Sequence, residues 1–228
     1  MIDTLFKSVL WIHIPFGFIS LLLFWIPVIT RKGSKTHKKV GKYYYISMWI
    51  VLGSAIILSI FNVFYKNYNQ AIFLGYLSII TSYPLWYSHA ILFEKKTWSS
   101  RYFLIRKMST ALIGLCGLAL LLVGAIYLKG KGVGTVMIFF GVLGIPAFRE
   151  WNYSKEKAQQ KEKKLLMHIR GTITSGIAAH TAFLVFGSNQ MLSQLIPVNL
   201  QFLPWILPTI LGITYIRIIS KKFIPQKT

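Results

Sequence analysis

Acidic residues are almost missing from this chain. Five Asp and Glu stand against 26 Lys and Arg, a formal net charge of +21. The five are Asp3, Glu94, Glu150, Glu156 and Glu162, and none lies well inside a long apolar run. Proton- or sodium-coupled transport commonly relies on a carboxylate within the membrane, so that class is disfavoured. Cysteine is rarer still, with Cys116 alone. One cysteine excludes an intrachain disulfide and any multi-cysteine metal or iron–sulfur site. The first apolar run lacks a small-residue cleavage site and is too long for a signal-peptide core, so it is expected to remain as a span. There is no internal repeat and no polar stretch of domain size.

What is present is apolar. Hydrophobic residues make up 54% of the chain and aromatic ones 15%, more than a soluble domain of this size carries. Several runs approach or exceed 18 residues, the length signature of a membrane span. The expectation is an all-α, polytopic integral membrane protein, one seven-helix transmembrane domain over residues 1–228. The spans fall at about 8–30, 43–65, 71–93, 108–128, 133–148, 165–187 and 203–220. The fifth is only just long enough to cross. The polar stretch 149–164 reads as a short exposed helix, and 188–202 as an uncharged loop on the surface or folded back.

A charge of +21 in a soluble protein would suggest nucleic acid. Here the cations sit in short clusters between apolar runs, which is a topology signal instead, and no nucleic-acid partner is expected. Of the 26 Lys and Arg, all but Lys7, Lys66, Lys129 and Lys131 fall on one side of the alternating spans. By the positive-inside rule that side is cytoplasmic. The N-terminus is therefore outside and the C-terminus inside, in a bacterial cytoplasmic membrane. The basic clusters are expected to attract anionic lipid headgroups.

The most informative stretch is Lys164–Gly187. On a helix, Gly171, Ser175, Ala178, Ala179 and Ala182 share one broad stripe, since offsets of 3, 4 and 7 return to the same face. Small residues there let a neighbouring helix approach closely, so that face points into the bundle. His168 lies on or beside the stripe. His180 is about 18 Å further along the axis, so the two histidines need separate partners.

Five histidines carry the candidate chemistry. Counted from the ends of their spans, His13 lies about 7 Å and His180 about 10 Å below the outer end. They are expected to form an outer pair facing one cavity, with spans one and six packed together. His37, His89 and His168 are expected near the cytoplasmic surface as an inner cluster. Neutral imidazole ligates Zn, Cu and Fe, and facing-helix histidines hold haem from both sides. The outer pair is the cofactor candidate and the inner three the metal candidate. The lysines around the inner group repel a dication and favour anionic headgroups or a phosphate-bearing ligand. No His-x-x-x-His occurs, and with no embedded acid this counts against a zinc hydrolase of the seven-span ceramidase and progestin-receptor kind. A lone intramembrane histidine equally serves by hydrogen-bonding a Ser, a Thr or a carbonyl on the next helix.

Two stretches carry a resemblance. HIPFGFISLLLFWIPVITRKGSKTHKKVGKYYYIS, with His13, Lys32, Gly33, His37 and Gly41, resembles the start of bacterial multi-pass membrane proteins of the domain-of-unknown-function type. MHIRGTITSGIAAHTAFLVFG and the later PWILPTILG are similar to their C-terminal half, through His168, His180, Thr181, Phe183, Pro204, Trp205 and Pro208. The resemblance implies the same topology, flags four histidines and confers no reaction. Two functions of different class follow. One is a histidine-based intramembrane site binding a metal or haem in a redox or metal-handling role. The other is a non-catalytic transporter-like or assembly component whose histidines hydrogen-bond or sense pH.

Overall fold

The structure is a computed structural model and describes residues 2–93, 100–126, 132–145, 161–187, 197, 200 and 203–223. Among the described residues every regular element is helical. In chain order they are α1 (Ile2–Ile29), α2 (Lys35–Phe64), α3 (Tyr68–Phe93), α4 (Ser100–Ile126), α5 (Gly132–Leu143), α6 (Lys161–Ala182) and α7 (Leu203–Phe223). A π-helical turn, Phe183–Gly187, continues α6.

Four of the seven, α1, α2, α4 and α7, are long and apolar enough to cross a bilayer. Their outward faces agree with that. Trp11 and Ile29 are 78% and 77% exposed, and Leu115 is 64% exposed. In water such helices would be an aggregation surface; in lipid they are ordinary. The chain is therefore a membrane protein. Of the expected fifth span, α5 covers 132–143, and 146–148 lie outside the described residues. So do the expected exposed helix up to 160 and most of the 188–202 loop.

Several helices overrun the apolar runs that announced them. α1 starts at Ile2, with Asp3 in its first turn, where a carboxylate suits the positive end of the helix dipole. Asp3 also accepts a hydrogen bond from Tyr65 Oη at the far end of α2. α2 starts at Lys35 because Ser34 caps it, its side chain accepting the His37 backbone N–H at 3.2 Å. Basic residues end a span, but they do not end a helix.

α1, α2, α3 and α6 close a four-helix group. α2 packs on α1 and α3, α3 on α6, and α6 touches α1. Their shared core is Phe24, Tyr44, Met48, Leu52, Leu85, Ile169 and Ile173. α7 lies against α6, and the α4–α5 pair meets the group chiefly through α3. Two glycines set the approach of α6. A Cβ on Gly171 would stand 2.6 Å from the Pro84 carbonyl oxygen of α3, and one on Gly176 would strike the Phe24 ring of α1. Of the expected small-residue stripe, Gly171 and Ser175 are buried, while Ala178, Ala179 and Ala182 are half-buried.

Inside this group several buried polar side chains pair across helices. Ser175 Oγ donates to the Thr172 carbonyl, which leaves the Tyr44 hydroxyl to donate to Ser175 Oγ at 2.8 Å. Ser20 and Ser47 meet at 2.8 Å between α1 and α2.

Candidate functional site

The five histidines divide by what their ring nitrogens do. A carbonyl oxygen can only accept, so a ring nitrogen bonded to one must carry the proton. That rule fixes three tautomers. His168 Nδ1 donates to Ser88 O at 2.7 Å, His37 Nδ1 to Pro27 O at 3.1 Å, and His180 Nδ1 to Gly176 O at 2.8 Å.

His180 is then fully used. Its Nε2 accepts from Trp25 Nε1 at 3.0 Å, and the ring stands edge-on to Phe24 at 5.2 Å. His13 bonds through Nδ1 to Ser54 Oγ at 2.8 Å. The Ser54 hydroxyl already donates to Ile50 O and Val51 O, so it accepts from the imidazole.

The expected outer pair is not formed. His13 meets α2 through Ser54, whereas His180 meets Trp25, twelve residues further along α1 than His13, a separation of about 18 Å. The depths were counted from each span's own end, and the ends are not level. Phe183, near the end of α6, packs on Phe18 at 6.0 Å, so α1 continues well past the point where α6 gives out.

The inner group assembles in part. His37, in the first turn of α2, and His168, on α6, stand with ring centroids 6.4 Å apart and planes at 73°. They are brought together from opposite ends of the chain. His89 follows Ser88, whose carbonyl holds His168, but its ring is stacked flat on Tyr45, at 3.9 Å and 14°. Among the described residues no three His, Cys, Asp or Glu side chains are arranged to hold a metal ion. The expected trio is therefore a pair with a stacked neighbour.

Around the pair the charges are basic but engaged. Lys32 Nζ donates to Pro27 O at 2.8 Å and Val28 O at 2.6 Å, closing the C-terminus of α1. Desolvation holds its ammonium below the usual lysine pKa. Pro27 O thus accepts from both Lys32 and His37.

Chemically, His37 and His168 each hold their Nδ1 proton on a backbone oxygen. In the neutral form each leaves Nε2 as a lone pair. Metal-ligating histidines characteristically donate their other ring N–H in this way, which fixes the ring and raises its basicity. At about 2.0–2.1 Å per metal–nitrogen bond, two rings sharing one ion have centroids no more than roughly 6–7 Å apart. The observed separation lies at that limit.

The sequence did not single out Trp25 or Ser54 as the partners of its histidines. Trp25 could have been suspected as an indole donor near the end of a span; nothing marked Ser54. Comparison with family models, with curated proteins and with solved structures finds no match for this chain.

Proposed function

We propose that this is a seven-span protein of a bacterial cytoplasmic membrane, N-terminus outside, whose working centre is the His37–His168 pair. In this reading the pair ligates a metal ion, bare or in a haem, at the cytoplasmic end of the bundle, and the role is redox or metal handling. One observation carries it: both imidazoles have Nδ1–H tied to a carbonyl, which leaves two Nε2 lone pairs on rings 6.4 Å apart. Lys32, whose ammonium donates to the α1 carbonyls, keeps its charge, so a bound cation has to offset its repulsion. For a bare ion, two protein ligands leave the remaining positions to water or substrate. The basic clusters flanking this end attract anionic headgroups.

A second reading has its own support. His13 and His180 are each satisfied by a neighbouring helix, as purely structural histidines are. If His37 and His168 serve in the same way, the protein is a non-catalytic transporter-like or assembly component.

Elemental analysis and an absorbance spectrum of gently purified protein separate the two. About one metal or one haem per chain is expected, lost in His37→Ala and in His168→Ala and kept in His180→Ala. A metal-free, colourless wild type, or a metal retained by both inner variants, would leave the second reading standing.

A further inference from the structure

At the other end of the group from the histidine pair, the first turns of α3 meet the π-helical turn, the start of α7, and α4 and α5. They line a half-open chamber of about 400 Å³. Protein interiors are close-packed, and a water occupies about 30 Å³. The chamber is therefore no packing flaw; its size is that of a small-molecule site.

Its walls are aromatic: Phe73, Tyr76, Phe140, Phe186 and Trp205. They brace one another, with Phe73 on Phe140 at 5.2 Å and Phe140 on Trp205 at 5.6 Å. Phe186 comes from the π turn, and its ring lies 3.8 Å from Phe73 and 5.9 Å from Trp205. A π turn inserts an extra residue per turn and is found chiefly where a helix serves a site. Here it belongs to the wall of the chamber. The only polar side chains among the lining residues besides Tyr76 are Asn69 and Gln70, in the first turn of α3. Asn69 is exposed, so the amides lie where the chamber meets its surroundings. Among the described residues no charged side chain lines it.

An apolar body with a hydrogen-bond-accepting head at one end fits this arrangement. We infer that the chamber binds one acyl chain, seated among Phe73, Phe140, Phe186 and Trp205, with its carbonyl oxygen accepting from the Asn69 or Gln70 amide. The bilayer supplies such chains, and the chamber lies among helices whose outward faces are built for lipid. The site is separate from the histidine pair and does not depend on any metal.

Bromine quenches indole emission on contact, so brominated chains report on Trp205. Detergent-purified protein is titrated with 9,10-dibromostearate. In a second arm it is reconstituted in vesicles of dibrominated phosphatidylcholine. The signal is the quenching present in wild type and absent from Trp205→Phe. A saturable Trp205 signal is expected in at least one arm. Its appearance with the fatty acid alone names a free acid as the source, and with vesicles a phospholipid. Ile72→Phe and Leu120→Phe, which fill the chamber, should each weaken the fatty-acid signal about tenfold or more, or the vesicle signal by a comparable share, with the unfolding temperature preserved. Unbrominated stearate, or unbrominated phosphatidylcholine, should restore the emission. No Trp205 signal in either arm overturns the inference. So does a signal that neither filling variant nor competitor changes, since Trp205 would then only face bulk lipid or detergent.

Discussion

The Tyr44–Ser175 contact shows how one hydrogen bond distributes its cost between its two partners. Both residues are buried, Tyr44 at 3% and Ser175 at 0% exposure. Removing the tyrosine hydroxyl leaves Ser175 still bonded to Thr172 O. Removing the serine hydroxyl strands a phenolic O–H inside the core. Tyr44→Phe should therefore cost about 1 kcal/mol and Ser175→Ala about 1–3 kcal/mol, with the pair of changes costing less than their sum. Denaturant unfolding in detergent measures all three; equal costs for the single variants would contradict the donor assignment. His180 follows the same logic. Its loss strands Trp25 Nε1 on a lipid-facing side of α1, so His180→Ala should unfold more easily and leave any metal content untouched. The residue types of the site were legible because histidine stands out in an apolar chain. Their partners were not, because Ser54 and Trp25 look like any other serine and interfacial indole until two helices are set side by side.

At the scale of the element, the inward face of α6 was legible and its neighbour was not. Small residues at helical spacing identify a close-packing face, and Gly171 and Ser175 are indeed buried there. Nothing in that spacing says which helix arrives. The expected neighbour was the first span. The closer one is α3, with α1 touching at Gly176. A paired substitution tests the geometry. Gly171→Ala pushes a methyl towards a backbone oxygen that cannot turn aside, and should cost about 1–3 kcal/mol, loosening the His168–Ser88 bond with it. Gly53→Ala on α2 meets open space and should be neutral or stabilising by up to about 1 kcal/mol. Thermal unfolding of the two variants should separate them clearly; a neutral Gly171→Ala would mean that α3 and α6 can part without cost.

For the whole molecule, the asymmetry of charge is the strongest guide to orientation, since in the proposed seven-span arrangement 22 of 26 cations would lie on one side. A reporter active only in the cytoplasm should work when fused after Lys227 and fail after Asn69. The reverse result would turn the histidine pair to the outside and overturn the proposed orientation. The helical class was readable from apolar run lengths because a backbone in lipid has few other ways to satisfy its polar groups. Relative depth was not readable. Apolar run length reports how much of a helix lipid can cover, while α1 and α2 continue beyond their apolar runs, to the early start at Ile2 and the cap at Ser34.

Closure of the four-helix group by α6 also sets a schedule for synthesis. α1, α2 and α3 leave the ribosome in succession, but their fourth member begins at Lys161, roughly 70 residues after α3 ends. At about 5–20 residues per second, that is a wait of roughly 3–14 seconds. During it the Tyr44 hydroxyl has no Ser175, the Phe24 ring has no Gly176 to lie against, and the seam between α1 and α3 stands open. A nascent chain paused in that interval holds only three of the four helices that bury Tyr44, so its core is completed last, by the arrival of α6.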